Sequence, residues 1–242
     1  MAYQFYYWPG IQGRGEFVRL ALEEAGADYV DVARGAEEDG LGLPALLSFL
    51  EDEAVTHPPY APPFLKSGNV IVGQTAAILM FLGPRHGLAP KSEAGRLWTH
   101  QIQLTIADVV AEAHDTHHPV ASGLYYEDQK REAKRRAKDF RSARIPKFLN
   151  WFEAILDRNP KGDRFLVGGR LTYADLSLFQ LVDGLRYAFP RAMKRHLADA
   201  PKVAALFQSV ADRPRIAAYL ESDRREAFNE SGIFRRYPEL DG

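Results

Sequence analysis

Two hydrophobic rhythms divide the chain. Tyr3 to Tyr7 is a short aromatic run of strand character, broken by Pro9-Gly10. From Arg14 to Ala25, Phe17, Leu20 and Ala21 share one stripe that Val18, Leu22 and Ala25 widen; this predicts a helix stopped by Gly26. Tyr29 to Val32 predicts a second strand, so the opening reads βαβ with parallel pairing. Leu41 to Leu50 reads as a short helix and His57-Pro58-Pro59 as loop. Phe64-Leu65 and Val70 to Val72 flank Lys66-Ser67-Gly68-Asn69 as a hairpin, and a helix follows from Thr75 to about Leu82.

Beyond this point the period changes. Gly83 to Glu93 is rich in proline and glycine and reads as a linker. The segments Ala94–His118, Glu127–Arg158, Thr172–Phe189, Pro201–Asp212 and Pro214–Arg225 all carry helical spacing. No internal repeat or low-complexity tract interrupts them. The expectation is two domains: a βαβ-α-ββα unit with a mixed sheet over residues 1–83, a linker over 84–93, and an all-α unit with a C-terminal extension over 94–242.

Composition narrows the chemistry. Of 242 residues, 46% are hydrophobic and 26% charged, enough for a buried core, and a net charge of −1 offers no global field for nucleic acid or anionic lipid. The basic run from Lys130 to Arg144 is interspersed with Glu132 and Asp139 and reads as a solvated helix face. With no cysteine, disulfides, zinc–thiolate sites and thiol nucleophiles are excluded, so any thiol chemistry needs a thiol from a ligand. No leader-like start or membrane-length apolar run is present, so the expected location is cytoplasmic.

Three local signals stand out. Thr172 and Asp175 sit as N-cap and N3 of a capping box, with Leu171 and Leu176 at the staple positions, which marks a folding device. Gly73-Gln74-Thr75 lies at a strand-to-helix turn, where Thr75 is placed to cap and the free N–H groups of the helix start suit an anion. Ala61-Pro62-Pro63 precedes a strand and holds two X-Pro bonds.

Together these fragments resemble the cytosolic glutathione S-transferases of the tyrosine type, the Mu, Pi and Sigma classes. The resemblance is carried by Tyr7-Trp8-Pro9 with Gly13-Arg14-Gly15-Glu16, by Pro63-Phe64-Leu65 with Gly73-Gln74-Thr75-Ala76-Ala77-Ile78-Leu79, and by Gly168 to Asp175, in the family's order. It implies a thioredoxin-like first domain with a cis-proline, Tyr7 as the hydroxyl that serves the sulfur of glutathione, and conjugation to a hydrophobic electrophile. Gln74, Thr75 and Arg14 match the γ-glutamyl-binding positions, Pro62 and Pro63 the cis-proline segment, and Asp108 an aspartate that reaches the γ-glutamyl amine from the other subunit of a homodimer. Trp8, His114 and His118 match electrophile-pocket positions. Glutathione is then the co-substrate, and no metal is needed. The absence of cysteine, and of any serine before Ser48, sets aside the classes that use those residues.

The pattern also departs from the family. The loop after Tyr7 is one residue longer than in Pi-type enzymes, so Tyr6 competes for the sulfur; alternation along a strand allows only one of the two, and the aromatic–proline continuation favours Tyr7. Counting back from Gln74 favours Pro63 over Pro62 as the cis residue, and Pro62 has no N–H to offer a ligand. Residues 36–61 lack the usual tryptophan and lysine for the glycine carboxylate, and His57 is the substitute at hand. The tail from Ser222 carries Phe228, Ile233, Phe234 and Tyr237, marking it for packing across the electrophile pocket or as a surface strap. His114, His117 and His118 fall at spacings for one helix face, without the further ligands a metal site needs. The same scaffold also suits a non-catalytic ligand-binding or structural protein, or a glutathione-dependent isomerase or peroxidase.

Overall fold

The computed structural model describes residues 2–242. It opens with strand β1 (Tyr3–Tyr6), helix α1 (Glu16–Ala25) and strand β2 (Tyr29–Asp31), followed by α2 (Gly42–Glu51). The hairpin β3 (Phe64–Ser67) and β4 (Val70–Gly73) leads into α3 (Thr75–Arg85). The sheet order is β2-β1-β3-β4; β1 pairs parallel with β2 and antiparallel with β3, while β3 and β4 pair antiparallel. Alternation sends Phe5 and Tyr7 to the face covered by α1 and α3, and Tyr6 to the face covered by α2.

The rest of the chain is helical: α4 (Glu93–Asp115), α5 (Lys130–Asp139), α6 (Ile145–Arg158), α7 (Tyr173–Ala188), α8 (Pro190–Ala198), α9 (Pro201–Ala211), α10 (Pro214–Leu220) and α11 (Pro238–Asp241). Its core is continuous with residues of α1, so Phe17, Leu20 and Ala21 join the two halves. Proline at the first position of α8, α9 and α10 starts each helix where its missing N–H costs nothing. The Thr172–Asp175 box is formed: Asp175 Oδ2 accepts from the Thr172 N–H at 2.7 Å and from Thr172 Oγ1 at 2.8 Å.

Several local expectations are corrected. The segment Glu127–Arg158 is not one helix, because a π-helical turn over Phe140–Arg144 separates α5 from α6. Helix α3 runs past Leu82 to Arg85 with Pro84 inside it. Helix α4 ends at Asp115, and His117 and His118 lie in the following turn, where their N–H groups still donate to the His114 carbonyl and the three rings stay together. Helices α8 and α11 were not anticipated. Gln74, not Thr75, occupies the N-cap of α3, because the chain leaves β4 through Gln74 at φ 65° and is already helical at Thr75.

Candidate active site

Tyr7 follows β1 and is only 4% exposed. The loop after it folds back over the ring, and the Arg14 N–H donates to Tyr7 Oη at 2.7 Å. Two glycines permit this wrap: a Cβ on Gly13 would stand 2.0 Å from Tyr7 Oη, and one on Gly15 2.4 Å from Tyr7 Cδ1. Gly13 is also in the left-handed region at φ 47°. Burial pushes the Tyr7 pKa up, while the Arg14 hydrogen bond and the charges of Arg14 and Arg19 pull against it. The net direction is upward, so Tyr7 is a neutral phenol at physiological pH. Its oxygen accepts from Arg14, and no side chain among the described residues takes its proton. What results is a hydrogen-bond donor, not a base.

Beneath Tyr7 lies a buried ionic group absent from the sequence reading. The Arg19 guanidinium, fully buried, stands 5.7 Å from the Tyr7 ring centroid and 5.3 Å from that of Phe5. Burial works against its charge, but Asp31, bonded to Nε at 2.7 Å, and Glu16, at 3.6 Å, hold it protonated. Only the polar residues on the inner stripe of α1 could have signalled this.

Tyr6 lies elsewhere. It stacks on Phe64 at 4.4 Å and meets Phe49 at 5.1 Å, inside the cluster beneath α2.

Arg14 and Thr75 are neighbours: Thr75 Oγ1 donates to the Arg14 carbonyl at 3.2 Å. The Arg14 side chain is exposed. No side chain caps α3, so its first N–H groups are available beside Arg14. Gln74 is the one non-glycine residue with positive φ among the described residues, a conformation that proteins retain mostly where a ligand uses it. The cis peptide bond joins Pro62 to Pro63, which makes Pro63 the cis residue. His57 is exposed on the loop leading to this segment.

A small hollow between Arg14, Thr75 and α4 is floored by Gln103, which is 1% exposed and whose Oε1 has no hydrogen-bond partner. A glutamine between Ile102 and Ile106 on the inner face of α4 is the sequence signal that was overlooked. Asp108, further along α4, is exposed. Trp8, 36% exposed, follows Tyr7.

The three histidines close the far end. His114 stacks on His118 at 5.0 Å, and His117, buried, contacts the Ile233 carbonyl through Nε2 at 2.8 Å. Burial lowers all three pKa values, His117 to about 3. Among the described residues no group of three or more His, Cys, Asp or Glu is arranged to hold a metal ion.

The tail straps the long loop in place. Asn229 Nδ2 donates to the Gly10 carbonyl at 2.8 Å, and Gln12 Nε2 to the Glu226 carbonyl at 2.7 Å. From the other side, Gln180 Nε2 of α7 donates to Gln12 Oε1 at 2.7 Å. Further on, Phe234 is buried against Gly184, where a Cβ would come within 2.2 Å of its ring.

Comparison with known proteins agrees with this architecture. Residues 114–223 match the family model described as the glutathione S-transferase C-terminal domain. A glutathione S-transferase of Plasmodium falciparum is 24% identical over 193 residues, covering 78% of this chain and 82% of that protein. Glutathione S-transferase P 1 of Xenopus laevis is 27% identical over 223 residues, covering 92% and 93%. The solved Pi-class enzyme of Onchocerca volvulus superposes with a TM-score of 0.68 at 21% identity, covering 91% of this chain and 93% of that one. The fold is that of the solved glutathione S-transferases, a thioredoxin-like unit followed by a helical one, and the helical unit carries the match to that family's C-terminal domain.

Proposed function

We propose that this protein is a glutathione S-transferase that binds glutathione along the edge formed by the Arg14 loop, the Pro62–Pro63 segment and the start of α3, and activates it as a thiolate through Tyr7. One observation carries the reading: Tyr7 is a neutral, buried phenol whose oxygen is fixed by the Arg14 N–H and whose proton is uncommitted. A free thiol has a pKa of about 8.5, so its anion is scarce at neutral pH. A preorganised donor in a water-poor site favours that anion, and each unit of lowering corresponds to about 1.4 kcal/mol.

In this scheme the thiol proton leaves to solvent. The thiolate forms a carbon–sulfur bond to a hydrophobic electrophile, and the leaving group departs with its electron pair. Arg14, Gln74 and the Thr75 N–H hold the γ-glutamyl end, while the Pro62 carbonyl accepts from the cysteinyl unit. Trp8, His114 and His118 line the electrophile's approach. Residues 1–83 carry the glutathione site and 94–242 most of the electrophile pocket, joined through 84–93.

We also propose a homodimer in which Asp108 of one protomer reaches the γ-glutamyl amine bound by the other. Val70, Met80, Leu97 and Leu104 on β4, α3 and α4 are large exposed apolar side chains, which suits a covered face. No helix among the described residues is long and apolar enough to cross a membrane; we place the protein in the cytoplasm.

The test is conjugation of glutathione to a chlorodinitrobenzene by wild type and Tyr7→Phe. The scheme expects turnover by wild type and about a hundredfold loss of kcat/KM in the variant. Equal turnover by both would refute the role of Tyr7, and absence of glutathione binding would refute the site.

A further inference from the structure

The loop from Trp8 to Gly15, which brings the Arg14 N–H to Tyr7, has little of its own to hold it. Three of its eight residues are glycine, and Gly10 and Gly13 have positive φ. Gln12 is its anchor. The Gln12 carbonyl accepts from the Glu16 N–H at 3.0 Å, which ties the loop to the start of α1. The Gln12 side chain is buried and used at both ends: Nε2 donates to the Glu226 carbonyl and Oε1 accepts from Gln180 Nε2, each at 2.7 Å.

Gln180 belongs to α7, in the helical half, and is fully buried. Its Oε1 accepts from Arg225 Nη2 at 3.2 Å, and the same nitrogen is paired with Asp183 Oδ2 at 2.7 Å. Arg225 Nε stands 3.5 Å from Glu16 Oε1, and Glu16 in turn lies 3.6 Å from Arg19, the guanidinium under the Tyr7 ring.

The hydrogen bonds run one way, from Arg225 to Gln180 to Gln12 to the Glu226 carbonyl. Arginine has only donors to offer, so Gln180 must present its oxygen to Arg225 and its nitrogen to Gln12. Gln12 must then turn its oxygen to α7 and its nitrogen to the tail. Neither amide can flip without setting like group against like, and each bond polarises the next.

We propose that Gln180, oriented by Arg225, is a positioning residue for Tyr7. Acting through Gln12, it fixes the loop in the register that sets the Arg14 N–H on Tyr7 Oη, and with it the direction in which the phenol donates. This role rests on Tyr7 as the donor to the sulfur of glutathione, as proposed above. Packing alone does not account for the arrangement. Two apolar side chains of similar volume would close α7 against the loop, but would not hold the loop to the Glu226 carbonyl.

Gln180→Met and Gln12→Met each break the run of hydrogen bonds at nearly constant volume. Both are assayed, with the double variant and Tyr7→Phe beside them, for conjugation of glutathione to a chlorodinitrobenzene and for the pH titration of the bound thiolate band. Each single variant is expected to lower kcat about tenfold and to change KM for glutathione less than about twofold. The thiolate titration should move at least about half a unit toward the free thiol's value near 8.5, which a loss of stability alone would not cause. The double variant should lose no more than either single variant, because the two residues act as one unit. Gln12 lies on a loop, so Gln12→Met carries the test if Gln180→Met does not fold. An unmoved titration in the folded variants, or losses that multiply in the double variant, would overturn the assignment while Tyr7→Phe still shifts the band. A band that Tyr7→Phe leaves in place would refute the role of Tyr7 and this inference with it.

Discussion

The Arg14 amide donates to the Tyr7 hydroxyl oxygen at 2.7 Å, and Gly13, between the donor's loop and that oxygen, leaves no room for a side chain. The loop's shape, the phenol's orientation and the direction of its proton are therefore set together. Any substitution that opens the loop should disturb chemistry more than ligand affinity.

Gly13→Ala tests this. The added methyl would lie 2.0 Å from Tyr7 Oη, and alanine is strained at φ 47°. The hydroxyl or the loop must move. We expect kcat to fall about a hundredfold with KM for glutathione changed much less, as steady-state kinetics will show. A fall confined to KM would mean that the loop serves binding alone.

Asp175 should be a stability residue without a direct role in turnover. In Asp175→Asn the amide nitrogen cannot accept from the Thr172 N–H, and a buried donor is orphaned. The expected cost is about 1–3 kcal/mol in urea unfolding, with kcat per folded molecule unchanged. With the amide nitrogen toward Thr172, the remaining oxygen can still accept from the Leu166 N–H, so residues 159–168 should stay in place.

His117 should make stability fall with acid. Its pKa is lowered to about 3 by burial, well below the ordinary 6.5. Between those values the unfolded chain binds the extra proton and the folded chain does not, so the stabilisation is present above pH 6.5 and declines as pH falls toward 3. At pH 5 the loss is about 2 kcal/mol, the 1.5 units below 6.5 at about 1.4 kcal/mol each. His117→Gln can keep a donor to the Ile233 carbonyl and should show a shallower pH dependence of unfolding free energy between pH 7.5 and 5.

The exposed apolar side chains of Leu97 and Leu104 lie on α4, with Asp108 one turn beyond Leu104. Sedimentation should find a dimer for wild type and a monomer for Leu97→Glu, Leu104→Glu. If Asp108 acts across the interface, that double variant and Asp108→Asn should both raise KM for glutathione by several-fold. A wild-type monomer would remove Asp108 from the site.

The order of strands and helices was legible because each element carries its own period and stop signal: Gly26 ends α1 at φ 59°, and Thr172 starts α7 with its partner three residues on. Helix α8 was missed although Pro190 marks its first position, because the acceptor that completes its start lies far away in the chain. Asp241 accepts from the N–H groups of Arg191 at 2.8 Å and Ala192 at 3.1 Å, and no local side chain supplies that cap. The π-helical turn at Phe140–Arg144 is likewise an adjustment within an unbroken helical pattern. Motif reading brought Tyr7, Arg14, Gln74 and Thr75 into view, and the fold places Arg14 against both Tyr7 and Thr75. Arg19 and Gln103 escaped because a polar residue on an inner helix face shows its purpose only when its neighbours across the sheet or cleft are known.

The most direct test of the account is the ultraviolet difference spectrum of bound glutathione as a function of pH, for wild type and Tyr7→Phe. The account predicts a thiolate band in wild type that titrates at least about one unit below the free thiol's value near 8.5, and a shift back toward that value in the variant. A band that titrates identically in both proteins would contradict it and move the search to another donor.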